Sequence, residues 1–332
     1  MTSSYPPAPD WSGAVTALRQ AESVLLIAHV LPDADALGSS LALGMALRSL
    51  GKDVTVSVGD PGFTVPDSLN FLPGLDLVVP PEDVVIPDLV VVCDTSSPER
   101  LGVLAESVSA APISVAIDHH PTFNGFGTIH VIDPESPATA ALVLKLIDML
   151  DVPLNREIAS AIYAGLATDT GSFKFQSTTS ETLRTAARLF DAGIPHSELA
   201  RKLFDDEPFA ALKVLGIALS RAVLVQGAVA GRGLVYTTVG CDDRGELPEL
   251  AMERVIESIR RTHEAEVAAV FKQSDTGVWK GSLRSKTDIN VGEIARSLGG
   301  GGHKFAAGYT GTTDVDQMVI DLIDALDRAA GA

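Results

Sequence analysis

Ile113-Ser-Val-Ala-Ile-Asp-His-His120 is the stretch from which the rest of the chain can be read. Ile113–Ile117 is a short run of mostly apolar residues that reads as a strand buried on both faces, the habit of a parallel sheet. Three ionisable groups follow it at once. Placed directly after a buried strand, Asp118, His119 and His120 carry a real desolvation cost unless a cation, a partner or a water-filled cleft meets them. The same grammar recurs upstream, where Leu89–Cys93 leads into Asp94 and Val24–Ala28 leads into His29, then Asp33 and Asp35. Val54–Val58 is a further strand, and helices are predicted over Ala36–Leu50, Ala138–Leu150 and Arg156–Ala167. The first half is therefore α/β, a mostly parallel sheet flanked by helices. Such sheets bind ligands beyond the carboxyl ends of their strands, so His29, Asp94 and Asp118 are expected at one edge. Asp169 ends a helix, and Gly171 supplies a turn to aim its carboxylate back at the others.

Composition agrees with a folded, globular chain of two units. The chain has 332 residues, 46% apolar and 20% charged, enough for more than one core. The first ten residues have neither the basic start nor the apolar middle of a signal peptide and are expected to be frayed, and no apolar run nears the ~20 residues of a membrane helix. A cytoplasmic protein is expected. Two cysteines, Cys93 and Cys241, speak against a disulfide framework and thiolate metal chemistry. A net charge of −18 repels long nucleic acids, because backbone binding needs clustered Lys and Arg. A phosphate substrate is then small or held by its end.

From Thr178 to Ser220 the pattern is helical, with a break at Gly193-Ile-Pro195. Beyond it, Ala222–Val229 and Leu234–Val239 read as a hairpin turning at Gly231–Gly233. A helix over Glu249–Thr262, strands over Val267–Phe271 and Val278–Leu283, and helices over Val291–Ser297 and Val315–Arg328 complete a smaller α+β unit. The expected division is a first domain over 1–190 that carries the acidic and histidine clusters, a helical linker over 191–220 and a second domain over 221–332.

The spacing His29-x-x-x-Asp33-x-Asp35 contains Pro32, which forbids a helix there and predicts an extended loop entering the helix at Ala36. Residues two apart in an extended segment point the same way, so both carboxylates can face the crevice. Either Asp alone could equally cap the helix, but capping leaves His29 and the second Asp unexplained. Asp94 taken alone reads as a turn residue, and His130 and His196 as solvated or satisfied imidazoles. Carboxylates and imidazoles without thiolates suit Mn²⁺, Mg²⁺ or Co²⁺ rather than structural zinc. Four carboxylates, Asp33, Asp35, Asp94 and Asp169, balance two divalent ions about 3.5–4 Å apart. The phosphate then needs separate cations, for which His120 and Arg284 are the candidates.

These motifs resemble the DHH/DHHA1 phosphoesterase family, in its nano-RNase and adenosine 3′,5′-bisphosphate phosphatase branch, over nearly the whole chain. The resemblance implies one metal held by His29, Asp33 and Asp94 and another by Asp35, Asp94, His119 and Asp169. Asp118 then orients an imidazole, and with His120 forms the catalytic pair. It also implies that Gly299-Gly-Gly-Gly-His303, with Arg284-Ser285 upstream, clamps the substrate nucleotide across a cleft between the domains. In this reading Arg284, Ser285, Gly300, Gly301, Gly302 and His303 contact substrate, the glycines through backbone N–H groups. The implied substrates are short oligoribonucleotides, linear dinucleotides such as pApA and adenosine bisphosphate, and the implied assembly is a homodimer. A cyclic-dinucleotide phosphodiesterase is the alternative enzyme, and a nucleotide sensor without catalysis the alternative of another class.

Overall fold

The computed structural model describes residues 8–247, 252–311 and 314–331. Its contacts divide the chain into two units, Met1–Asp206 and Glu207–Ala332, a division inside the range read as a linker. Among the described residues no helix is long and apolar enough to cross a membrane.

In the first unit helix α1 (Trp11–Gln20) precedes strand β1 (Ser23–Ala28), α2 (Ala34–Ser49) and β2 (Asp53–Val58). There follow β3 (Leu89–Cys93), α3 (Ala105–Ala110), β4 (Ile113–Asp118) and β5 (Ile129–Ile132), then α4 (Thr139–Met149), α5 (Arg156–Asp169), α6 (Ser180–Asp191) and α7 (His196–Phe204). The strands lie in the order β2-β1-β3-β4-β5, and every neighbouring pair is parallel. Leu26, Val91 and Val115 point into one apolar cluster, while Leu25, Ile27, Val90 and Val92 point into another on the opposite face. Both faces are thus covered, which is why these strands read as runs and not as alternation. The chain leaves β1 toward β2 on one side and returns at β3 to build the other. That reversal puts the crevice of the sheet between the ends of β1 and β3.

Helix α2 is buried on almost its whole circumference, packed between the sheet and α5. Two glycines permit the approach. A Cβ on Gly38 would stand 2.6 Å from the Ala161 carbonyl oxygen, and one on Gly165 would stand 2.4 Å from Asp35 Oδ1. The helix begins at Ala34, two residues earlier than the sequence suggests, because Asp33 Oδ1 accepts from the N–H groups of Asp35 and Ala36. Pro32 lies before the cap, where its ring obstructs no helical carbonyl. The short strand β5 and helix α1, capped by Asp10, are absent from the sequence reading.

The second unit opens with α8 (Phe209–Ser220), β6 (Val223–Val225), α9 (Ala228–Gly231), β7 (Leu234–Val239) and α10 (Cys241–Arg244). It continues through α11 (Glu253–Ile259), β8 (Val267–Gln273), β9 (Trp279–Ser285), α12 (Val291–Ser297), β10 (Gly301–Gly302), β11 (Ala306–Thr310) and α13 (Val315–Ala330). Its mixed sheet has the order β10-β11-β9-β8-β7-β6. The expected hairpin forms, but its first strand shrinks to three residues. Val229 leaves the ladder: it is fully buried in the core, and its N–H donates to Asp327 Oδ1 on α13 at 2.6 Å. The start of the helix expected from Glu249 lies outside the described residues.

Candidate metal centre

His29 comes directly off β1, at the crevice, and is buried. Its Nδ1 lies 2.8 Å from the Val30 carbonyl oxygen, which can only accept, so Nδ1 carries the hydrogen and Nε2 presents a lone pair. Nε2 faces Asp33 Oδ2 and Asp94 Oδ2, each at 3.8 Å. Asp33 therefore does both things the sequence offered as alternatives, capping α2 through Oδ1 and turning Oδ2 to the crevice. The loop between them is not the extended segment expected. Leu31 takes a left-handed conformation, its N–H bound by Asp60 Oδ2 at 2.9 Å.

Asp35 reaches the centre from the first turn of α2, not from an extended strand. Its carboxylate is wholly buried and seated on the start of α4, accepting from the N–H groups of Thr139 at 2.7 Å and Ala140 at 2.9 Å. No side chain of α4 caps that helix itself, so Asp35 serves as its cap across the fold.

Asp94, one residue past β3, sits between two imidazoles. Oδ2 faces His29 Nε2 at 3.8 Å, while Oδ1 faces His119 Nε2 at 3.5 Å and accepts from the Thr139 hydroxyl at 2.8 Å. Its backbone is left-handed, φ 59°, which costs a residue other than glycine on the order of 1–3 kcal/mol and gathers at working sites. The Asp94 N–H, donating to the Ile117 carbonyl at 2.9 Å, holds that turn against the end of β4.

His119 and His120 diverge, as neighbours leaving a strand should. His119 Nδ1 lies 3.2 Å from the Ser136 carbonyl oxygen, and Nε2 faces Asp169 Oδ2 at 3.2 Å and Asp35 Oδ2 at 3.9 Å. Asp169 closes α5, and the turn after it runs through Gly171 at φ 56°. His120 Nδ1 instead lies 2.7 Å from Asp118 Oδ1. Asp118 is fully buried, and its second oxygen has no hydrogen-bond partner among the described residues.

The crowded charges shift one another. Burial raises Asp35 well above its ordinary value, and the like charges of Asp94 and Asp169 push the same way. Burial also lifts Asp169, against the pull of His119, to about 6. For His119 burial favours the neutral ring, but Asp169, Asp94 and Asp35 outweigh it and its pKa rises. For His120 burial is likewise overcome by Asp118, raising the imidazole. Packing around Asp33 opposes ionisation, yet His29, the Ala36 N–H and the charge of Arg100 together hold it below the usual carboxylate range.

A cluster that raises its own carboxyl pKa values in this way is short of positive charge. The donor atoms of His29, Asp33 and Asp94 lie within 4.8 Å of one another, and so do those of Asp35, Asp94 and His119. Both groups, hard oxygens with an imidazole, fit a divalent cation, and Asp94 belongs to each. Thr139 and Arg100 belong to the same neighbourhood and escaped the sequence reading. A buried Thr at a helix start with no cap of its own is the sole local trace of the first; the second sits in a short 3₁₀ helix, Pro98–Leu104.

Arg284 and Ser285 have partners within the second unit. Arg284 Nη2 donates to Glu253 Oε2 at 2.9 Å, and Nε stands 3.8 Å from Glu257, so the cation expected to be open for phosphate is already met by carboxylates. The Ser285 hydroxyl, buried, donates to the Ile289 carbonyl at 2.7 Å. Three of the four glycines have local reasons. Gly299 is left-handed after α12, a Cβ on Gly300 would meet the Gly308 carbonyl oxygen at 2.1 Å, and Gly302, at φ 134°, lies against Ala307 in the β10–β11 ladder. A Cβ on Gly301 would meet nothing within 4 Å, so packing does not demand glycine there. His303, next along, donates its N–H to the Ala306 carbonyl at 2.8 Å, closing the turn into β11.

A parallel sheet with acids and imidazoles gathered at its switch point, followed by a smaller mixed-sheet unit, defines a known class. The DHH family N-terminal domain matches residues 23–166 and the DHHA1 domain residues 231–332. The chain belongs to the DHH family. It is 37% identical over 313 residues to the bifunctional oligoribonuclease and PAP phosphatase NrnA of Thermus thermophilus, an alignment covering 93% of this chain and 91% of that protein. The enzyme of the same name from Bacillus subtilis is 26% identical, over 91% of this chain and 94% of its own. An exopolyphosphatase-related protein of Bacteroides fragilis shares the fold, with a TM-score of 0.85 and 25% identity over 97% of this chain and 96% of that one.

Proposed function

We infer that this DHH-family phosphoesterase hydrolyses short oligoribonucleotides and linear dinucleotides such as pApA to mononucleotides, and converts adenosine 3′,5′-bisphosphate to AMP. The observation that carries the reading is Asp94, one oxygen turned to His29 and the other to His119, at the junction of two donor groups. The likeness to NrnA over more than nine-tenths of the chain supports the choice of substrates. His29, Asp33 and Asp94 would hold one divalent cation, and Asp35, Asp94, His119 and Asp169 a second. Mn²⁺ suits this donor set, with Mg²⁺ and Co²⁺ as the alternatives. When bound, such a pair supplies Lewis acidity and an acidified water for in-line attack at phosphorus.

The remaining work falls to the chain. Asp118, outweighing the cost of burial, favours a protonated, fixed His120, a suitable donor to the leaving oxygen of the phosphoester. Thr139 and the start of α4 keep Asp35 and Asp94 in register without spending the lone pairs a cation needs. In the second unit Arg284, the backbone around Gly301 and His303 would receive the nucleotide, with Arg284 exchanging Glu253 for phosphate.

The test is release of AMP from pApA, and of phosphate from adenosine bisphosphate, by pure protein with Mn²⁺, alongside a cyclic dinucleotide as competitor substrate. Turnover of the linear substrates with little of the cyclic one is expected. No turnover of either linear substrate with any divalent ion would sink the reading, and faster cleavage of the cyclic dinucleotide would replace it.

A further inference from the structure

We propose that Arg100 is a substrate-binding residue of the metal centre, its guanidinium receiving oxygens of the scissile phosphate; the proposal rests on the phosphoesterase reading above. Arg100 lies six residues beyond Asp94, and its backbone is tied to the crevice. The Val30 N–H donates to the Arg100 carbonyl at 2.8 Å, and the Arg100 N–H donates to the Ser97 carbonyl at 3.2 Å. These bonds hold the residue beside the end of β1, where the sheet reverses.

Its side chain is poorly provided for by the protein. Nη2 lies 2.9 Å from His29 Nδ1 and 3.2 Å from Nε2. Because Nδ1 already gives its hydrogen to Val30, the first contact is not a hydrogen bond, and the Nε2 lone pair is the one acceptor that ring offers. That lone pair is the one a cation takes. Once it is taken, the Arg100 head has no acceptor left on His29. Among the described residues no carboxylate comes within 4.0 Å of it, although it stands at the rim of a cluster of carboxylates and lowers the pKa of one of them, Asp33. A partly buried guanidinium with unused donors at such a rim matches a tetrahedral dianion, whose oxygens it can take two at a time.

The charges agree. Four carboxylates are balanced by two divalent cations, which leaves the phosphate to find its own counter-charge. Arg284 spends its charge on Glu253 and Glu257, whereas Arg100 spends none on a carboxylate. The competing explanation is that Arg100 only positions the His29 ring, and the two roles differ in what they do to metal binding.

The experiment compares Arg100→Ala and Arg100→Lys with the unaltered chain in three measurements: Mn²⁺ binding by calorimetry without nucleotide, inorganic phosphate binding to the Mn²⁺-loaded protein, and KM and kcat for pApA. Mn²⁺ affinity is expected to stay within about twofold or to tighten, since a cation beside the site is removed. Phosphate binding is expected to weaken roughly 10- to 100-fold in Arg100→Ala, with KM rising in parallel, and Arg100→Lys to recover part of it. Unchanged phosphate binding would overturn the proposal, as would a parallel loss of Mn²⁺ affinity, which is the mark of a ring-positioning role. If the unaltered protein fails to cleave pApA while phosphate binding still depends on Arg100, the functional reading falls and the phosphate seat stands.

Discussion

The Thr139 hydroxyl donates to Asp94 Oδ1 at 2.8 Å while the N–H of the same residue donates to Asp35 Oδ2 at 2.7 Å, so one residue ties together carboxylates from two strand-to-helix turns. Thr139→Val keeps the shape and the N–H and deletes the hydroxyl. Partners that orient metal-binding carboxylates are worth about 10- to 100-fold in metal affinity or activity. A fall of that order is expected in Mn²⁺ affinity by calorimetry, and Thr139→Ser should restore most of it. An unchanged Mn²⁺ isotherm in Thr139→Val would show that Asp94 is held by its backbone alone.

Gly165 on α5 gives Asp35 its room, since a Cβ there would approach Asp35 Oδ1 at 2.4 Å and its Cα at 2.9 Å. Gly165→Ala gains up to about 1 kcal/mol of helix propensity but overpacks a closed helix contact at a cost of roughly 1–3 kcal/mol. Net destabilisation in denaturant is expected to be small. Turnover should fall further than stability, because the displaced atom is a carboxylate oxygen.

The metal-free protein should lose stability as pH rises from 3.8 through about 6 and beyond. Burial raises Asp169 from 3.8 to about 6, so the folded state holds that proton more tightly than the unfolded chain, a gain complete below 3.8 and lost as pH rises through 6. Asp35, raised by burial and its neighbours, acts in the same direction. His119 and His120, raised above 6.5, add stability that is lost only as pH climbs through their folded values. Asp33 acts oppositely, but only in strong acid. Melting in chelator should therefore fall across this range. Mn²⁺ should reverse the slope, since its ligands bind deprotonated.

In the proposed reading Arg284 would exchange Glu253 for a phosphate, and Glu253 also pairs with Lys272 at 3.2 Å. Glu253→Gln removes the competing charge while keeping the side chain's length. A KM for pApA lowered about two- to fivefold with kcat little changed is expected, in line with the modest worth of partly exposed ion pairs. A raised KM would mean that Glu253 orients Arg284 for substrate instead of occupying it.

How much of this was legible depends on how local the cause was. Buried parallel strands announce themselves as apolar runs, so β1, β3 and β4 were readable within a residue or two, and with them the edge on which His29, Asp94 and Asp118 fall. Helix α1 and strand β5 were not. The first needed a cap at Asp10 in a segment whose composition looks frayed, and the second is four residues at the sheet edge whose pairing with β4 is purely tertiary. The loop at His29 was misread because Pro32 and two acids suggest extension, whereas the decisive term is one carboxylate accepting two N–H groups ahead of α2.

The order of residues along the chain was enough to determine the α/β alternation, the identity of the charged side chains and the edge to which they are carried. These follow from hydrophobic burial and the hand of parallel connections, which act through short-range pattern. Tertiary structure alone decided how the charges are shared. It put Asp94 between two imidazoles, seated Asp35 on the start of a helix a hundred residues away, turned Asp118 toward His120, and set Arg100 at the rim without a carboxylate of its own. Those relations are matters of an ångström or two between atoms distant in sequence. Sidedness and periodicity do not encode them, because they arise only when buried charges must find partners within a packed interior.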